Sequence, residues 1–176
     1  MHRIYRYIVF NKTKLESKVV EMGNDETYNA VKAIFTMFGN FVRDVADEIG
    51  WEKTTEIYSK MGERDESETT QFLKEQKKDK RLDELAKMQS GFYNASGWKV
   101  EYEVTPETLE YTVHRCPCFD GFSDAGLEKD KINMLCKATH IVVNKRLKTH
   151  FPGAKYTSVV KPSKDEPCIE KYTIPI

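Results

Sequence analysis

Residues 1 to 115 contain no cysteine, and all four thiols of the chain, Cys116, Cys118, Cys136 and Cys168, fall in its last third. Net charge is absent as well: 28 basic residues balance 28 acidic ones, with no sustained basic tract, which argues against nucleic acid and anionic membrane as partners. No apolar run approaches the roughly 20 residues that a membrane span needs. No internal repeat or low-complexity segment occurs, and the thiols form no paired Cys-x-x-Cys knuckles, which excludes a zinc ribbon. What is present is 39% hydrophobic residues, enough for a real core, so the expectation is one domain over residues 1–176.

An even cysteine count suggests disulfides first. The chain begins Met-His-Arg-Ile-Tyr-Arg-Tyr-Ile-Val-Phe, however, an apolar run too short for a secretory h-region and without a small-residue cleavage pattern. The expected location is therefore cytoplasmic and the thiols are expected reduced. Three readings then stand: a bound metal, a reactive cysteine, or four inert buried thiols, since free cysteine is among the most buried residue types.

The first ten residues read as a strand or a docking arm. From Asn24 or Asp25, both suitable N-caps, the series Tyr28, Val31, Phe35, Phe38, Val42, Val45, Ile49 advances by threes and fours to Gly50, the pattern of an amphipathic helix. Ile34, Met37 and Phe41 widen that apolar surface beyond what one neighbour covers, which points to a homodimer through the N-terminal helices. A shorter helix follows over Glu52–Met61, then a dense charge run over 63–81 that reads as a solvated helix or connector. Helical spacing returns at Leu82, Leu85, Met88 and Phe92.

After Gly97 the period changes from 3.6 to 2. Trp98, Val100, Tyr102 and Val104 alternate with charged residues, Thr105-Pro106-Glu107 turns the chain, and Leu109, Tyr111 and Val113 complete a hairpin. Lys131–Lys148 reads as a mostly buried helix whose polar stripe includes His140, and 155–161 with 168–174 read as a second hairpin. The expected fold is α+β, with N-terminal helices over 1–97 packed on a four-stranded antiparallel sheet of order β-β-α-β-β over 98–176.

Strand alternation puts Thr112, His114 and Cys116 on one face, a spacing that can lower a thiol pKa or bring two ligands to one ion. Asp120 and Asp124, read as lying in the loop after Cys118, are acid-base or ligand candidates. Cys136 precedes His140 by one helical turn, and His150 sits where it can interact with the negative pole of its helix. The candidate catalytic residues are Cys116, His114 and Asp120. The candidate metal ligands are Cys116, Cys118, Cys136 and Cys168, for zinc or an iron–sulfur cluster, with no metal at all as the alternative. A haem beside His114 and Cys116-Pro117 is a third possibility.

Arg115-Cys116-Pro117, the mid-helix Cys136 and Pro167-Cys168-Ile169-Glu170 together resemble the L-2-amino-thiazoline-4-carboxylic acid hydrolase family over roughly residues 98–174. The element order is also similar to the vinyl-reductase-type domain of phenol-sensing activators and to the transport-particle Bet subunits. The first resemblance implies hydrolytic opening of a cyclic amidine, using a thiolate or a metal-activated water, with Lys155 or Arg115 as the cation for the substrate carboxylate. The second implies a small-molecule sensor or carrier in which the thiols hold a structural metal. The sequence shows no attached DNA-binding or ATPase segment, which argues against a complete one-chain regulator. A small organic molecule is the expected partner under either reading.

Overall fold

The computed structural model describes residues 16–19, 25–62, 82–161 and 166–175, with the backbone alone at 16–19, 142, 146, 149 and 150. The apolar stretch 2–10 and the charge run 63–81 lie outside the described residues.

The chain enters with β1 (Glu16–Val19) and then α1 (Asp25–Ile49), which carries Asp25 and Glu26 in its first turn, the charge sign that suits a helix N-terminus. Gly50, at φ +83°, stops it, as the sequence suggests. A second helix, α2, spans 51–62. Next comes α3 (Leu82–Ala95), followed by the hairpin β2 (Lys99–Val104) and β3 (Thr108–Arg115). Then come α4 (Pro117–Asp124), α5 (Lys129–His150), β4 (Lys155–Val159) and β5 (Cys168–Thr173).

The α+β architecture is as expected. The four foreseen strands lie in the antiparallel order β2-β3-β5-β4, and β1 adds a fifth at the β2 edge. One sheet face is apolar: Val100, Tyr102, Val104, Leu109, Tyr111, Val113, Tyr156 and Tyr172 are buried there against Leu82 and Ala86 of α3 and Leu147 of α5. A second core joins α1, α4 and α5 through Val42, Phe119, Phe122, Ile132 and Leu135.

One element departs from expectation. The glycine-punctuated stretch after Cys118 is a helix rather than a loop, because Pro117 presets φ at its first position and the Cys116 side chain caps its N-terminus. Gly121 lets α4 press onto α1, since a Cβ there would stand 2.6 Å from the Lys32 carbonyl oxygen. Gly97 does the same for the start of β2: at φ +78°, its missing Cβ would meet the Tyr28 backbone at 2.5 Å. These two close approaches bring Tyr28 of α1 to the N-terminal half of α4.

Candidate active site

Cys116 leaves β3 and becomes the N-cap of α4, its Sγ accepting the Phe119 N–H at 3.4 Å. The same sulfur also accepts from the Cys118 thiol. That bond, with the Phe119 and Cys118 N–H groups and the charge of Lys161, outweighs burial and holds the Cys116 thiol below its ordinary value. The other three move the opposite way. Burial, then donation to Cys116, pushes Cys118 up; burial, then the field of Cys116, pushes Cys136 up; and burial raises Cys168 to about 11.

All four cysteines are unpaired and keep part of their surface. They gather at the seam between the two cores, where Cys116 borders both, Cys118 and Cys168 border the sheet core and Cys136 borders the helical one. The fields of Cys116 and Cys168 both reach Cys136, and that of Cys116 reaches Cys168. Among the described residues, however, no group of three or more His, Cys, Asp and Glu side chains is arranged to hold a metal ion. Cys168 Sγ accepts the Lys161 N–H at 3.2 Å, as Cys116 Sγ accepts that of Phe119.

Asp120 sits one turn into α4 and is held from two sides. Tyr28 Oη donates to Oδ2 at 2.7 Å, and Lys161 Nζ lies 3.1 Å from Oδ1. Lys161 is the buried cation of the site, 1% exposed, with its ammonium 4.3 Å from the centre of the Phe119 ring. Burial, then the bond to Asp120, raises the Tyr28 phenol and keeps it protonated.

His114 does not join this group. It lies on the exposed face of β3 with Nε2 3.4 Å from Glu101 Oε2, because Pro117 turns the chain away before Cys116 can share that face. Of the two cations expected for a substrate carboxylate, Lys155 is exposed on β4, and Arg115 borders the site, pairing with Asp25 at 2.8 Å while lying 4.2 Å over the Tyr28 ring. Asp124 pairs with Lys32 at 2.8 Å. His140 is not a solvated stripe residue. Its Nδ1 lies 2.5 Å from Ser158 Oγ, its ring packs edge-on against Tyr156, and burial lowers it to about 4.

Lys161, Tyr28 and Glu170 were not singled out from sequence. Lys161 precedes a proline at a strand end and resembles any surface lysine there, and Tyr28 is hidden in an apolar series. Glu170 had a usable signal: two residues after Cys168 on one strand, it must share the thiol's face.

Helices covering one face of an antiparallel sheet, with a low-pKa cysteine capping a short helix beside a buried Lys–Asp pair, define an α+β protein with a thiol site. A family model described as L-2-amino-thiazoline-4-carboxylic acid hydrolase matches residues 28–148. The chain belongs to that family. No curated protein and no solved structure matches it. The match takes in the helical α1 as well as Cys116, Cys118, Asp120 and Cys136, whereas Lys161, Cys168 and Glu170 lie beyond its end.

Proposed function

We propose that the chain is a hydrolase of the L-2-amino-thiazoline-4-carboxylate type, opening a small cyclic amidine with Cys116 as nucleophile. The observation that supports this most is the contrast among the thiols, in which Cys116 alone is held below its ordinary value while its three neighbours are raised. A thiolate at a helix N-cap is an activated nucleophile.

In the proposed reaction Cys116 Sγ bonds to the amidine carbon as the ring carbon–sulfur bond breaks, and the ring sulfur leaves as a thiolate that takes up a proton. Water then adds to the same carbon. The Cys116–carbon bond breaks, returning the cysteine thiolate and releasing a carbamoylated amine with a free thiol. One water is consumed. Asp120 serves as an anchor rather than an acid: with Tyr28 and Lys161 both donating to it, it fixes α4 and holds the Lys161 charge near Cys116.

Turnover of the aminothiazoline carboxylate by full-length protein tests the reading. Wild type is expected to be active, Cys116→Ser inactive yet folded, and a brief acid quench is expected to trap a covalent adduct on Cys116 by mass. Inactive wild type, or full activity in Cys116→Ser, would overturn it.

A further inference from the structure

Glu170 is a carboxylate on the face of the sheet where apolar residues belong. Along β5, Cys168, Glu170 and Tyr172 share the side on which the helices pack, and the register sets Glu170 opposite Tyr111 of β3 and Ser158 of β4. Tyr93 of α3 donates to its Oε2 at 3.1 Å. Among the described residues no lysine or arginine pairs with it, and its hydrogen-bond donor is the Tyr93 phenol. Burial accordingly raises its carboxyl above the ordinary range.

The surroundings are those of a cation site. Tyr93 and Tyr111 meet edge to face at 5.4 Å, and Tyr156 and Tyr172 at 4.8 Å, so the carboxylate is walled by aromatic rings. An organic cation gains both from the ring faces and from the unpaired negative charge. The Tyr156 hydroxyl is buried next to Glu170 with no hydrogen-bond partner of normal geometry. A buried hydroxyl left without a partner costs stability, which is expected where a ligand supplies the missing contact. Glu170, Tyr93 and Ser158 are each half-buried on the packed side of the sheet. Cys136 and Cys168 lie within the fields of both Cys116 and Glu170, and the carboxylate and the candidate nucleophile therefore border the same layer of thiols.

We propose that this tyrosine-lined carboxylate binds an organic cation, with Glu170 as its counter-ion and Tyr93 and Tyr156 as its aromatic and hydroxyl contacts. Resting on the hydrolase reading, that cation is the protonated amidine of the aminothiazoline ring, and Glu170 is the residue that selects it over a neutral ring of the same size.

Calorimetric titration of the full chain with 2-aminothiazoline, a cation without the carboxylate, and with neutral thiazolidin-2-one tests this. Wild type is expected to bind the cation at least tenfold more tightly than the neutral ring. Glu170→Gln is expected to lose that preference, and Cys116→Ser to keep it. Equal affinity of wild type for the two rings, or an undiminished preference in Glu170→Gln, would overturn the proposal. The wild-type comparison decides the matter even if Glu170→Gln fails to fold. A Glu170-dependent preference without turnover of the carboxylated ring sinks the hydrolase reading and leaves the cation site standing; turnover without the preference does the reverse.

Discussion

Lys161 Nζ lies 3.1 Å from Asp120 Oδ1, and the lysine side chain is 1% exposed while the aspartate is 20% exposed. The two partners are therefore unequal. Asp120→Asn takes a carboxylate away from a fully buried ammonium, whereas Lys161→Met leaves a more exposed carboxylate that still has Tyr28 and some water. Removing one partner of a buried pair costs about 3–5 kcal/mol. Asp120→Asn is expected to fall in that range and Lys161→Met below it, as read by urea unfolding; equal losses would show that burial is not what separates them.

The contact between α1 and α4 makes a second test. Gly121 has no room for a methyl group, since its Cβ would lie 2.6 Å from both the Lys32 carbonyl oxygen and Phe35 Cβ. Backbone must move to admit it, so Gly121→Ala is expected to destabilise by about 1–3 kcal/mol, the usual cost of overpacking. Because α4 carries both Cys116 and Asp120, the same change is expected to reduce turnover. Gly91→Ala is the control: a Cβ at Gly91 meets nothing within 4 Å, and alanine there is expected to be neutral or slightly stabilising in denaturant unfolding.

Periodicity made the fold legible because the period follows directly from which face is buried. The steps of Tyr28, Val31, Phe35, Phe38 and Val42, and the alternation of Val100, Tyr102 and Val104, each report one buried side. It did not reveal α4, whose eight residues are too few to show a period and whose two defining features, a proline at the first turn and a thiol cap, also describe a loop. The thiols were legible as a group and not as individuals. What separates Cys116 from Cys136 is the donors around its sulfur, set by a helix start and by Lys161 from across the fold. Cys116 was misplaced beside His114 because strand alternation was carried one step past the residue where the strand ends.

The homodimer through the N-terminal helices remains a proposal, now with a defined surface. Ile34, Met37 and Phe41 are 58%, 69% and 60% exposed along one side of α1, while Phe35, Phe38 and Val42 turn toward the core. Burying such a stripe is worth roughly 25 cal/mol per Å² of apolar area, and a second copy presenting the same stripe is the simplest cover. Light scattering at micromolar concentration is expected to give twice the chain mass, and Phe41→Glu to give the single mass with unchanged secondary structure. A monomeric wild type would count against it.

The bond from the Cys118 thiol is the largest of the effects holding Cys116 low, so its removal predicts a specific change in pH dependence. Cys118→Ala takes away a donor that favours the thiolate, and the Cys116 pKa must rise. The thiolate fraction at a given pH then falls, so the acid limb of the rate profile is expected to move to higher pH while the rate on the alkaline plateau is largely kept. Cys118→Ser retains a donor and is expected to move the limb far less. Iodoacetamide labelling of Cys116 across the same pH range checks the assignment without substrate: reactivity is expected to begin at lower pH in wild type and Cys118→Ser than in Cys118→Ala. If all three proteins label along one pH curve, the Cys118 donor does not tune the nucleophile, and the lowered pKa would have to rest on the helix cap and Lys161 alone.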